Sequence, residues 1–122
     1  MEFTKYELLD LLNRPGPLIL NEADFTGADL SGADFEEAWL AGANLGGTRC
    51  WETNFTGAHL LRANLSASLR GANLSGADLR NADLRGAELI SVNMTDAIYN
   101  DATVWPGDFD PVAAGALRVE LD

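Results

Sequence analysis

The run Ala23-Asp24-Phe25-Thr26-Gly27-Ala28-Asp29-Leu30-Ser31-Gly32-Ala33-Asp34-Phe35 repeats one five-residue word: alanine, Asp or Asn, a large apolar residue, any residue, glycine. The word returns at Ala72-Asn73-Leu74-Ser75-Gly76 and continues through Ala77-Asp78-Leu79 and Ala82-Asp83-Leu84. Taking the large apolar residue as the centre of each word, the centres run Leu20, Phe25, Leu30, Phe35, Leu40, Leu45, Cys50, Phe55, Leu60, Leu65, Leu69, Leu74, Leu79, Leu84, Leu89, Met94, Tyr99 and Val104. Two residues before nearly every centre stands a small residue, with Leu18, Thr48, Thr53 and Val92 as the exceptions. Residues two apart in extended chain point to the same side. The alanine and the centre therefore face inward, and the Asp or Asn between them faces out.

Each word needs a corner. Glycine follows the centre by two at Gly27, Gly32, Gly42, Gly47, Gly57, Gly71, Gly76 and Gly86. A type II turn spanning the centre and the next alanine puts that glycine at the third position, where φ is positive. A corner every five residues fits neither a 3.6-residue helical period nor a long alternating strand. Fixed-period repeats of this kind stack as a solenoid.

This pattern resembles the pentapeptide-repeat family, over about three-quarters of the chain. The ending Thr103-Val104-Trp105-Pro106-Gly107-Asp108-Phe109-Asp110-Pro111 is similar to the tail of many cyanobacterial members. The resemblance implies an all-β solenoid, a right-handed quadrilateral β-helix with four words per coil. That gives about four and a half coils, stacked at ~4.8 Å into a rod roughly 20 Å long. Every fourth centre then falls in one column: Leu20, Leu40, Leu60, Leu79, Tyr99 in one, and Phe35, Phe55, Leu74, Met94 in another. Cys50 is a centre and reads as a buried thiol. Leu65 and Leu69 are four apart, which predicts a distorted corner at Ser66-Ala67.

Three segments follow: residues 1–17 as an N-terminal helical cap, 18–106 as the β-helix, and 107–122 as a C-terminal cap or tail. Open solenoid ends expose core and unpaired backbone, so caps are expected. Thr4-Lys5-Tyr6-Glu7 has capping-box form and predicts a helix over about 5–13, stopped by Pro15-Gly16-Pro17. Asp110-Pro111 suits a helix start and predicts a brief helix over about 111–117. The alternative use of that end is homodimerisation, which the resemblance also suggests.

Composition narrows the function. Lys and Arg total 8 against 19 Asp and Glu, for a net charge of -11. Nucleic acid and anionic membranes repel such a surface, so neither is an expected partner. A single cysteine forms no intramolecular disulfide, and no apolar run approaches the ~20 residues of a membrane span. With no signal-like start, a cytoplasmic protein is expected. One histidine, His59, supplies neither a zinc set nor a triad, and the glycines are explained by corners rather than phosphate binding. No catalytic, metal or cofactor residues are assigned, and no enzyme activity or cofactor is expected.

The surface carries two candidate features. Ile19, Trp39 and His59 fall in one outward row with Ala41 and Leu61 beside them, an apolar partner face for another protein. Trp51 stacks near Arg70 and Ile90, with a cation–π contact expected there. The first coil forms an acidic end of Glu22, Asp24, Asp29, Asp34, Glu36 and Glu37 with no Lys or Arg among them, while the later coils contain Arg49, Arg62, Arg70, Arg80 and Arg85. The resulting expectation is a non-catalytic interaction scaffold. The alternative is an acidic DNA mimic that binds DNA gyrase or topoisomerase, as the quinolone-resistance members of the family do.

Overall fold

The structure, a computed structural model, describes residues 4–120. Parallel bridges join each outward residue to its counterpart one coil later. One row runs Ile19, Trp39, His59, Asp78 and Ile98; a second Asp24, Asn44, Asn64, Asp83 and Val104; a third Asp29, Arg49, Ser68 and Glu88; a fourth Asp34, Asn54, Asn73 and Asn93. These four rows are the four faces of the tube. Between coils, each centre donates its N–H to the carbonyl of the outward residue in the next coil, as Leu40 does to His59 at 2.8 Å and Leu60 to Asp78 at 2.9 Å.

Corners close within the word. The alanine N–H returns to the carbonyl of the centre three residues earlier, as from Ala43 to Leu40 at 3.0 Å. Positive φ occurs at the second residue after the centre and not at the first, which is the type II pattern. Glycine fills most of these sites, but Glu22, Glu37, Glu52, Arg62, Asn81, Ser91 and Asp96 also sit there at φ of 57–65°.

The alanines and centres form one continuous core from Leu18 to Tyr99. Leu40, Leu60 and Leu79 are fully buried, whereas Asp24 and Asn44 are half-buried. Each leucine so buried stabilises by roughly 1.5–3 kcal/mol before ordering entropy is counted. Phe35 and Phe55 stack with ring centroids 5.5 Å apart and planes 8° from parallel. Cys50 is buried, and burial pushes its thiol pKa up to about 11. Among the described residues, no buried polar side-chain atom lacks a partner.

The four-residue word is absorbed locally. Ala67 bonds back to Leu65 across two residues at 2.7 Å, a tighter turn than its neighbours make, and both stay buried. The last word departs from expectation. Val104, expected as a centre, is 40% exposed and pairs with Asp83 on the outside. One extra residue enters after Tyr99: the turn closes from Thr103 to Asn100 instead of to Tyr99, so Thr103 takes the inward small position. Trp105 then packs against the core, edge-on to Tyr99 at 5.4 Å.

Helix α1 (Lys5–Leu12) starts at Thr4, whose hydroxyl accepts from the Glu7 N–H while the Glu7 carboxylate accepts from the Thr4 N–H. Leu8, Leu11 and Leu12, spaced for one helix face, pack against the core. The Gly16-Pro17 peptide is cis. At the other end, no α-helix forms over 111–117. Asp110 caps the Val112 and Ala113 N–H groups, but Gly115 at φ +94° ends the turn series after one winding. The chain then extends and pairs strand β2 (Leu117–Arg118) parallel to β1 (Ile98–Tyr99), adding a rung to the first face. That pairing explains why no helix forms there: the Ala97 and Tyr99 carbonyls accept from Leu117 and Val119, which draws the chain out into a strand.

Candidate interaction face

The five apolar-face residues occupy two adjacent rows of one side. Ile19, Trp39 and His59 are bridged in sequence, and Gly42 bonds to Leu61 as Ala41 does to the Asn21 side chain. The indole of Trp39 and the imidazole of His59 stack with centroids 3.8 Å apart and planes 10° from parallel. The solenoid imposes this contact, because successive coils place row neighbours one strand spacing apart. Trp39 is 44% exposed and Ile19, at the start of the row, 78% exposed. Asp78 follows His59 in the row, held by Arg80 through two side-chain bonds of 2.9 and 2.7 Å. Burial draws the Asp78 carboxyl upward, but the Arg80 bonds and the His59 charge outweigh it and hold the pKa below the ordinary value.

The acidic residues of the first coil do not converge. Glu22 lies on the Trp39 side, Asp24 and Asp29 on the next two, and Asp34, Glu36 and Glu37 on the fourth, so they ring the end of the tube. Two are paired with later coils: Glu22 with Arg62 at 3.7 Å and Asp29 with Arg49 at 3.6 Å. Arg62 reaches Glu22 across Gly42, whose missing side chain leaves room for the Glu22 carboxylate.

The outward Asp and Asn do more than face solvent. Asp24, Asp34, Asn44, Asn54, Asn64, Asn73, Asp78, Asp83 and Asn93 each accept the N–H two residues on, at 2.9–3.1 Å. This Asx turn satisfies the donor that the corner would otherwise strand. The Thr26 hydroxyl and then its N–H hold Asp24 below the usual carboxylate range, and Ser31 does the same for Asp29. The signal was in the sequence, as the fixed Asp/Asn position of the word.

The expected cation–π pair is corrected: Arg49, not Arg70, sits over Trp51 with its guanidinium carbon 5.0 Å from the ring centroid. Arg49 stands two residues before Trp51 on the same side of the chain, a shorter reach than from the next coil. Among the described residues, no cluster of histidine, cysteine, aspartate and glutamate is arranged to hold a metal, and no helix is long and apolar enough to cross a membrane.

No curated protein matches the chain. Among solved structures, it is similar to alr5209, a pentapeptide repeat protein from Nostoc PCC 7120, at 30% identity over 98% of each chain with a TM-score of 0.88. A pentapeptide repeat protein of the Arabidopsis thaliana thylakoid lumen is 34% identical over 70% of this chain and 68% of its own, at a TM-score of 0.52. Rfr23 from the cyanobacterium Cyanothece 51142 is 33% identical over 76% and 67%, at 0.51. These neighbours imply a right-handed quadrilateral β-helix for the four-faced tube. The family model for pentapeptide repeats matches residues 19–47, 38–68 and 67–98 in 8 copies, and with the corners, rows and core already described the chain belongs to that family.

Proposed function

We propose that the protein is a non-catalytic scaffold that docks another protein on the side carrying Ile19, Trp39, Ala41, His59 and Leu61. The observation that carries this reading is the Trp39–His59 stack, a ring pair fixed in orientation and half-open to solvent beside exposed Ile19. Rigid aromatic side chains on a flat support lose little entropy on binding, which is why they dominate interface energetics. The test is capture of partners from a lysate of the native host by the wild-type chain, by a Trp39→Ala, Leu61→Ala double variant and by an Ile90→Ala control on the far side. The reading expects the double variant alone to lose its partner; unaltered recovery contradicts it.

The reading sets the protein in the cytoplasm, which fractionation of host cells checks. Self-association through the C-terminal end ranks second, favoured by exposed Val112 and Leu117; sedimentation of a Val112→Lys, Leu117→Lys variant tests it. The DNA-mimic alternative ranks below both. Arg49, Arg62, Arg80 and Arg85 each neutralise a carboxylate along the tube, which breaks any continuous acidic strip. A DNA gyrase supercoiling assay unchanged by added protein removes it.

A further inference from the structure

The chain has seven arginines. Six are paired with a carboxylate: Arg14 with Asp10, Arg49 with Asp29, Arg62 with Glu22, Arg80 with Asp78, Arg85 with Asp83 and Arg118 with Asp101. Arg70 has no such partner among the described residues, in a molecule with a large excess of acid. It lines a groove of about 330 Å³ together with Trp51, Glu52, Gly71 and Ser91. The groove lies across the tube from the Trp39 row, between the third and fourth faces.

Its walls are already ordered. The Trp51 Nε1–H donates to the Ser68 hydroxyl at 2.8 Å, and Arg49 covers the ring at 5.0 Å. The indole is thus fixed, its polar atom is satisfied, and 43% of the residue stays exposed. Gly71 forms the floor, where an added Cβ would lie 3.2 Å from the Glu52 side chain. Arg70 stands between Trp51 and Ile90 in one row, as the bonds from Glu52 to the Arg70 carbonyl and from Gly71 to the Ile90 carbonyl show. Ser91 lines the groove, and its side chain has no hydrogen-bond partner among the described residues.

We propose that this groove binds a small aromatic monocarboxylate, its ring against Trp51 and its carboxylate on Arg70. A guanidinium prefers a carboxylate because two parallel N–H groups meet two oxygens. One negative charge is the fitting number. Glu52 lies beside Arg70, and the chain's net charge of -11 repels a polyacidic ligand before contact. The volume lies at the lower end for small-molecule sites, which matches a single ring with a short acid arm. Pre-ordered walls lower the ordering cost on binding.

The experiment is an amide NMR titration with 3-phenylpropionate, repeated with its neutral amide and with acetate. The proposal expects shifts confined to Glu52, Arg70, Gly71, Ser91 and the Trp51 indole N–H. It expects binding weaker by about tenfold or more with the amide, with acetate and in Arg70→Gln, and unaltered binding in Trp39→Phe. Arg70 is exposed, so Arg70→Gln keeps the fold, which the unperturbed remainder of its spectrum verifies. Absence of localised shifts across the millimolar range overturns the proposal. So does equal binding by the amide or by Arg70→Gln.

Discussion

Two words of the solenoid hold the wrong number of residues, one short at Leu65–Leu69 and one long at Tyr99–Trp105, and the chain absorbs them in different ways. The short word tightens its corner and keeps every inward residue in its column, so the bridge spacing drops from 20 residues to 19 at Arg49–Ser68 and returns to 20 at Ser68–Glu88. The long word lets its corner slip by one residue. Thr103 then recovers the inward position, and its hydroxyl donates to the Leu79 carbonyl at 2.8 Å. Thr53, in a regular word, makes the same bond to Leu30 at 2.7 Å. The lesson is that core columns and inter-coil bonds fix the register, while corners adjust to whatever length remains.

The comparison breaks most readily at the core. Leu65→Ala, at the short word, is expected to cost about 2–5 kcal/mol, because a tightened corner has little slack to close the cavity. Trp105→Ala, half-buried at the open end, is expected to cost less than Leu65→Ala. Chemical denaturation of both variants decides; a larger loss at Trp105 would place the critical packing at the end instead of the middle.

A smaller effect is expected from the two threonines. Thr53→Val and Thr103→Val each remove a buried hydroxyl donor and are expected to cost about 1–2 kcal/mol, by the same denaturation measurement. If only Thr53→Val is destabilising, the slipped corner does not reproduce the regular one. Smaller again is insertion of a glycine between Ser66 and Ala67, which restores a five-residue word. Stability is expected to stay within about 1 kcal/mol of wild type, since long and short corners serve equally. Glu52→Gly relieves a left-handed residue at φ 58° and is expected to raise stability by a few tenths to about 1 kcal/mol.

The smallest effects per group concern pH. Asp24, Asp29, Asp83 and Asp101 titrate below the ordinary value of 3.8, held by the side chains of Thr26, Ser31, Arg85 and Arg118 respectively. A lowered folded-state pKa contributes stability that is present above the unfolded value and lost as pH falls through the folded one. Thermal melting temperatures are therefore expected to drop below about pH 4, and by less in Asp83→Asn, which has one such group fewer. An Asp83→Asn melting curve with the same acid slope would discount that contribution.

Much of this was legible in the sequence because the word repeats strictly. The columns, the Phe35–Phe55 neighbours, the Thr4 cap and the short word at Ser66-Ala67 all follow from counting. The long word escaped because Val104 is apolar and stands five residues after Tyr99, so it satisfies the count while facing outward. Counting sees spacing but not where a corner closes. The Asx role of the outward acids and amides, the pairing of Arg49 with Trp51 and the single turn at 111–115 depend on local geometry that a five-residue frame does not describe. For the apolar face, the row was legible, whereas the parallel stacking of Trp39 on His59 was a matter of side-chain rotation.

Thiol accessibility tests the register most directly. Cys50 is buried, so the native chain under folding conditions supplies an unreactive background. Val104→Cys is expected to react with a maleimide at the rate of an exposed thiol, while Thr103→Cys is protected until the protein unfolds. Rapid labelling at 103 with protection at 104 would contradict the slipped corner and the inward and outward assignment that rests on it.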